Sequence, residues 1–557
     1  MKARQLSLIA LLATLFMISC KSDPLPGNDF HVANDTVIIH GEETQFIDIE
    51  YTGFQECSFQ VKYCPTWLWA SAQWYGRIRP GETARYYIGV SRDLCSDGIS
   101  GCALKGHLTI GNSNDYVTVT VIYVPEAHQA YHVPECVYHP VGLNSFGFAI
   151  NNYSDRTLSY AISNGLGNVQ LPSPSGQIAP FGQAVVQVQC SDHQQGDEAT
   201  LNVTVDGESH LTRLIATQHA KIETAVVDAD YNKQTDVLVC ALGTPNLAVY
   251  DATSQTLREI HLPDYPNCVS ISQDGTKAVV GHKKSISYID LENNMVICNR
   301  AVRCDVFDIV LGPNQWVYFT PIEEQWDDIH YLDLSQPYST EKTRGSIHGC
   351  THITLHSSGK SLYMPINLSP ESIEKYDIQE IDPDYVHEMR FDEGHYVEGM
   401  LWCSDNGDRL FTRGLSVLRT SDNMEEDLDV IGDIVLDGSI VFHEDDEWRW
   451  NKLTWLDYNT VSQRIYLIPR NENDFLYSNA ICEKKYIYMN DGSSLQPLGK
   501  IGVEDMLMTD DKGLMLPVSS LPRYVFSNSD GSKIIVISKP FAPWIYNHWE
   551  IQSINVE

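Results

Sequence analysis

Aromatic, histidine and carboxylate residues crowd into a few loops in the second half of the chain. "PIEEQWDD" carries Trp326, and "KPFAPWIYNHW" carries Trp544, Tyr546, His548 and Trp549. "LPDYPN" holds Tyr265, "GSIHGCTH" holds His348, "DEGHYVEG" holds His395 and Tyr396, and "EDDEWRWNK" holds Trp448, Arg449 and Trp450. Indole and phenol faces stack on sugar rings or other flat ligands, and nearby carboxylates accept hydrogen bonds from hydroxyls. The same rings also serve as plugs and seals in a packed wall, so they define a candidate binding face and no reaction. Trp67, Trp69 and Trp74 raise the same question earlier in the chain, with Trp67 expected in a core.

Catalytic signatures are missing. The chain has no zinc-protease helix, no Gly-x-Ser-x-Gly elbow and no phosphate-binding glycine loop ending in Lys-Ser/Thr. Ser357-Ser358-Gly359-Lys360 fits Ser-x-x-Lys but lies in a turn between strands and reads as structural. Asp228-x-Asp230-x-Asn232 begins like a calcium loop, yet Lys233 stands where glycine is required and the twelfth position is not Glu. His348, Cys350 and His352 match no standard metal spacing. No metal and no cofactor are expected.

Composition narrows the classes. The chain has 557 residues, 43% of them apolar, enough for several buried cores. With 38 basic and 73 acidic residues its net charge is −35, which argues against nucleic acid and other anionic polymers as ligands because phosphate binding needs a basic footprint. Fourteen cysteines are present. Cys57/Cys64 and Cys95/Cys102 are each seven apart and make candidate disulfides, whereas the seven cysteines beyond residue 220 read as small buried hydrophobes.

The N-terminus reads as an export signal: Met1-Lys2-Ala3-Arg4 is basic and Leu6–Ile18 is apolar but too short to span a membrane comfortably. Its ending, "MISC", resembles the lipobox of bacterial lipoproteins. That resemblance implies that residues 1–19 are removed, that Cys20 is lipidated, and that 20–34 form a tether. Lys21, not Asp, follows the cysteine, so the inner-membrane retention signal of such lipoproteins is absent. The expected location is the outer membrane, lipid-anchored and facing outward.

The elements that must position these residues are strands. Alternation such as "QFIDIEY", "YVTVTVIYV" and "IIVIS" dominates, and sustained helical periodicity is nearly absent. Residues 35–126 and 127–219 each read as an Ig-like sandwich, and "GRIRP" at Gly76–Pro80 returns as "GQIAP" at Gly176–Pro180. Trp67-Leu68, Gly76, Pro80-Gly81 and Arg92-Asp93 make the first copy resemble the BACON domain of Bacteroidetes proteins. The second copy is BACON-like, lacking the Trp and carrying Phe181 in place of the glycine. The resemblance implies a bacterial surface protein whose modules bind carbohydrate or act as spacers.

Residues 220–557 repeat another unit: apolar strand, polar turn, apolar strand, loop, and a strand ending in Tyr/Ile-Asp. "CVSISQDGTKAVVGHKKSISYIDL" (268–291) is its clearest copy, and seven copies recur. The spacing is that of four-stranded propeller blades, and the region resembles bacterial YVTN/WD40-like propellers without their WD dipeptides. A longer gap precedes the last copy, leaving room for an eighth blade. Ring closure demands a strand near His219–Glu223, beside Leu211–Ala216, which the second sandwich needs. The expectation is an all-β chain of two Ig-like sandwiches and a seven-bladed propeller, with the aromatic loops on one rim. The functional expectation is a non-enzymatic surface lipoprotein capturing a nutrient, foremost a glycan. Alternatives are capture of a corrinoid or siderophore for an outer-membrane transporter, a polysaccharide lyase or hydrolase using His348, His395 and His548, and an adhesion scaffold.

Overall fold

The computed structural model describes residues 29–556, apart from 42, 66, 71–74, 91–102, 113–114, 125–129, 142–144, 165–168, 192–196, 218, 323–325, 367, 369, 392–394, 439, 441–452, 471–485, 510–514 and 541–547. Cys20, Trp74, Cys95, Cys102, Trp448, Arg449, Trp450, Trp544 and Tyr546 therefore lie outside the described residues. The chain is all-β, and among the described residues the sole helical element is a 3₁₀ turn at Pro313–Gln315.

The first unit is a sandwich of two sheets. One runs Phe30–Val32, Gln45–Tyr51, Thr83–Val90, Leu68–Ala70; the other runs Thr36–His40, Tyr116–Val124, Leu104–Gly111, Cys57–Tyr63, Tyr75–Ile78. Alternation sends Ile47, Ile49 and Tyr51 inward against Leu108, Ile110, Val119 and Val121 of the facing sheet. The second unit has the same order: Tyr131–His132, Ser145–Asn152, Gln183–Cys190, Val169–Gln170 over Cys136–Pro140, Glu208–Thr217, Glu198–Val205, Leu158–Asn164, Ser175–Ile178. In both, the first strand of the larger sheet pairs in parallel with the last strand of the unit.

The repeated glycine has a packing cause. A Cβ on Gly76 would stand 2.8 Å from the Phe59 ring, and one on Gly176 would stand 2.8 Å from the Tyr160 ring. In each sandwich an aromatic ring from the neighbouring strand lies flat over this edge. The turn that follows needs a left-handed residue, supplied by Gly81 (φ 80°) in the first copy and by Phe181 (φ 51°) in the second. Phe181 departs from the pattern because its side chain packs with Ile122, Val124 and Tyr153, where the two sandwiches meet.

The expected Cys57–Cys64 bridge is absent, and the strand explains why. Both thiols are unbridged. The strand Cys57–Tyr63 begins at one cysteine and ends just before the other, which sets them roughly 20 Å apart at about 3.3 Å per residue, far beyond disulfide reach. Cys64 instead donates its thiol to the Leu68 carbonyl at 3.2 Å.

From residue 220 onward, four-stranded antiparallel meanders follow one another. The first is Val226–Asn232, Val237–Leu242, Asn246–Asp251, Thr256–His261. In the next two, the long strand Met295–Leu311 serves both sheets: residues 295–305 pair backward and 306–311 pair forward with Trp316–Pro321. Further meanders start at Thr354, Leu401, Leu453 and Ser520. An apolar core fills each space between consecutive sheets, and the last sheet (Ile535, Ile537, Ile551) shares one with the first (Leu238, Cys240, Leu242). The sheets thus form a closed ring, a β-propeller.

Ala220–Ile222 closes the ring by pairing antiparallel with Trp549–Asn555, while Glu208–Thr217 stays in the second sandwich. A three-residue strand thus serves the ring without borrowing from the sandwich. Immediately before it, His219 places Nε2 2.6 Å from Glu504 Oε2 and Nδ1 2.9 Å from Glu550 Oε2, with its side chain only 12% exposed. Burial works against the charge, but hydrogen bonds to Glu504 and Glu550 outweigh it and hold the imidazole pKa at about 9. The long gap before the last copy contains two strands of the preceding sheet, Tyr486–Asp491 and Pro497–Gly502. It also contains a hairpin, Met506–Thr509 with Met515–Val518, that packs on Ser145–Asn152 of the second sandwich.

The recurrent Tyr/Ile-Asp strand ends are turn caps. Asp251, Asp290, Asp333, Asp377 and Asp491 each accept a hydrogen bond from the backbone N–H two residues on, at 2.7–3.1 Å. One end of the ring is therefore built from short turns that satisfy their own backbone. Most cysteines of the ring are buried or half-buried as expected, but Cys350 is exposed.

Candidate functional site

The innermost strand of each propeller sheet has an open edge toward the axis, whose N–H groups need partners. A bulge recurs there, between Val226/Asp228, Pro266/Cys268, Val306/Asp308, Leu453/Trp455 and Pro522/Tyr524. Side chains from these strands cap the next sheet. Asp228 Oδ2 accepts from Val269 N (2.8 Å), Asp230 Oδ2 from Ile271 N (2.7 Å), Asp308 Oδ2 from Ile353 N (3.0 Å) and Asp457 Oδ2 from Ser527 N (2.9 Å). The Asp228-x-Asp230-x-Asn232 run is thus a strand whose carboxylates bind the neighbouring backbone. Burial, then the nearby Asp308 charge, raises the Asp228 carboxyl to about 7.

Lys233 crosses the axis at the short-turn end. Its Nζ lies 3.0 Å from Asp405 Oδ2, 2.9 Å from Asp457 Oδ1 and 2.7 Å from the Tyr458 carbonyl, on sheets that are not neighbours of its own. Burial opposes its charge, and Asp457 and Asp405 outweigh that penalty, so its pKa is raised. The residue that spoiled the calcium pattern is an ammonium tie across the ring.

The opposite end carries the long loops, with Trp326 and Tyr265 exposed on them, while Tyr338 and Tyr385 are exposed at the short-turn end. Trp326, 59% exposed, starts its strand and pairs across the sheet with His348; their rings meet edge-on at 5.9 Å and 87°. His348 donates Nδ1–H to the Gly349 carbonyl at 3.0 Å, which leaves Nε2 as an acceptor. Tyr265, 61% exposed, is positioned through its carbonyl, which accepts Nδ1–H of His282 at 3.0 Å. Buried His282 takes the Ser287 hydroxyl on Nε2 at 2.8 Å, and burial lowers its pKa. His282 was not expected from the sequence; its one signal was a histidine at the end of the apolar run Ala278–Gly281, just before Lys283-Lys284. His395 stands separately, with Nδ1 3.3 Å from both Ser416 Oγ and Asp433 Oδ1, while Tyr396 is part-buried and its carbonyl accepts the Thr412 hydroxyl.

Two expected rim residues turn inward. His548 is 9% exposed, its pKa lowered by burial, and Trp549 packs into the core shared by the last and first sheets. Trp549 begins the strand that pairs with Ala220–Ile222, and His548 stands just before it, so the wall needs their surface. Trp67 packs against the first sandwich's core as expected, whereas Trp69 is 41% exposed. His352 and Cys350 diverge: His352 Nδ1 donates to Asp308 Oδ2 at 2.8 Å, and the Cys350 thiol donates to the Ile322 carbonyl.

Beside the long-loop end, a cleft of about 1510 Å³ separates the second sandwich from the ring. Its walls mix Tyr131, His132, Arg156 and His210 with Tyr486 and Asp505, and none of the expected aromatic rim residues lines it. Among the described residues, one trio brings metal-type ligand atoms together: Cys304, His330 and Glu341, all within 4.8 Å of one another.

No family model and no curated protein matches the chain. Among solved structures it is similar to the β-propeller domain of Cps50 (Swd1) from Myceliophteria thermophila, at 10% identity and TM-score 0.44, over 60% of this chain and 98% of that one. It is also similar to the hydrazine synthase of Kuenenia stuttgartiensis, at 12% identity and TM-score 0.42, over 61% of this chain and 98% of that one. These likenesses carry no argument here; the propeller assignment rests on the sheet order and the ring of shared cores.

Proposed function

We propose that this chain is a non-enzymatic, lipid-anchored surface protein that captures a nutrient, foremost a glycan, on the long-loop face of its propeller. In this reading Cys20 carries the lipid, residues 35–126 and 127–219 are BACON-like Ig modules that give reach, and residues 220–557 are a seven-bladed propeller. The observation that carries it is the exposure of Trp326 and Tyr265 on the loops of the long-loop end, where both hold their faces to solvent. Exposed indole and phenol faces fixed by His348 and His282 are stacking plates for a sugar ring.

Calorimetric titration of the purified protein with a panel of glycans, corrinoids and siderophores tests this. A Trp326→Ala/Tyr265→Ala double variant should weaken binding roughly 10–100-fold, the effect of two stacking contacts of about 1 kcal/mol each plus lost burial. Wild-type affinity in that variant would place the ligand elsewhere. A second reading is a polysaccharide lyase or hydrolase acting through His348 and His395, where His395 Nδ1 stands 3.3 Å from Asp433 Oδ1. Release of shortened products from a polysaccharide panel, lost in His395→Ala, would favour it over capture.

A further inference from the structure

Three chain segments converge on one buried point in the wall of the ring. Cys304 lies in the strand Met295–Leu311, where that strand passes from one sheet to the next. His330 comes from the strand Trp326–Asp333, and Glu341 stands one residue before Lys342–His348. Cys304 is 3% exposed, His330 4%, and the Glu341 side chain 7%. A thiol, an imidazole and a carboxylate are thus withdrawn from water with their ligand atoms within 4.8 Å of one another.

We propose that Cys304, His330 and Glu341 bind a divalent cation of the zinc type. In a tetrahedral site with bonds of about 2.0–2.3 Å, neighbouring ligand atoms stand roughly 3.3–3.6 Å apart, so the trio closes on an ion with shifts of about 1 Å. The donor set is a borderline-soft one: sulfur, nitrogen and a single oxygen favour zinc over calcium or magnesium.

The hydrogen bonding around His330 has the form of a site with its proton in place of a metal. Nδ1 faces Glu341 Oε1 at 2.5 Å, while buried Nε2 has no hydrogen-bond partner. An ion entering between Nδ1, Glu341 and the Cys304 sulfur displaces the proton that Nδ1 and Oε1 share, along with the thiol proton. The imidazole proton then sits on Nε2, which faces Asp327 Oδ1 at 3.7 Å. A small ring movement makes that carboxylate the acceptor that orients a metal-bound histidine. The Glu341 carboxylate is already aimed, because the Arg303 backbone N–H donates to its other oxygen at 2.8 Å. The Arg303 side chain, 64% exposed, sets Nε 3.4 Å from Glu341 Oε1, so an ion entering there takes the place of that surface ion pair as well.

Cobalt(II) titration of the purified full-length protein, stripped of metal with chelator, tests the proposal. One equivalent should produce a thiolate-to-cobalt absorption band in the near ultraviolet, and zinc should bleach it. Cys304→Ser should abolish the band and Glu341→Gln should weaken binding about tenfold or more. Cys268→Ser, which alters a thiol in the same core, and Cys350→Ser, which alters an exposed one, should both leave the band unchanged. Absence of a thiolate band in the wild-type protein overturns the proposal, as does a band that survives Cys304→Ser or vanishes with Cys268→Ser. The wild-type titration decides the matter even if a core variant folds poorly.

Discussion

Replacing His219 with Gln should cost stability below neutral pH and little above pH 9. In the folded chain the imidazole titrates at about 9 against an ordinary value of 6.5, because Glu504 and Glu550 hold its proton more strongly than burial repels it. A difference of about 2.5 units, at 1.36 kcal/mol each, amounts to about 3 kcal/mol. The folded pKa lies above the unfolded one, so the full contribution is present below about pH 6.5 and fades as pH rises through about 9. For a ring of roughly 340 residues that corresponds to a midpoint about 4 °C lower in the variant at pH 6. Thermal unfolding of wild type and His219→Gln at pH 6, 7.5 and 9.5 reads the effect directly. The gap between them should shrink as pH rises. A gap that stays constant, or widens with pH, would show that the histidine is not held charged between the two glutamates.

The tie across the axis gives a second expectation. Lys233→Met leaves Asp405 and Asp457 facing each other without their shared cation, a loss of about 3 kcal/mol once the partial exposure of Asp405 is discounted. Denaturant melts should show it, and restoration by adding Asp405→Asn would identify charge as the cause; an unchanged midpoint in Lys233→Met would refute the tie. A third concerns the repeated glycine: Gly176→Ala sets a methyl 2.8 Å from the buried Tyr160 ring and should destabilise the second sandwich by about 1–3 kcal/mol. Hydrogen exchange across Leu158–Asn164 and Ser175–Ile178 should rise in that variant and remain unchanged in the ring.

Strand alternation, the apolar repeat beyond residue 220 and the Tyr/Ile-Asp strand ends made the all-β character and the propeller legible in the sequence, because each is a local pattern with a local cause. The long-loop rings were legible only in part. Trp326 and Tyr265 face solvent, but Trp549 begins the strand that Ala220–Ile222 pairs with, His548 stands just before it, and that pairing brings together residues more than 300 apart. Non-local chemistry was beyond reach for the same reason. Nothing near Lys233 in the sequence points to Asp405 or Asp457, and nothing near His219 points to Glu504 or Glu550. The Cys57–Cys64 spacing misled because a pair seven apart suits a loop staple only if a loop joins them, and here a strand does.

The ring's closing strand also fixes how the molecule would carry mechanical load. Ala220–Ile222 is continuous with the second sandwich and pairs with the last strand from Ala220↔Ile551 to Ile222↔Trp549. Tension drawn on the sandwich end therefore enters the propeller at its seam, and reaches the His219 contacts with Glu504 and Glu550 before the first ladder rung. Those two contacts form a fuse, strong in mildly acidic surroundings and weak in alkaline ones. Load on the sandwich end therefore meets that histidine first, and the three-pair ladder behind it second.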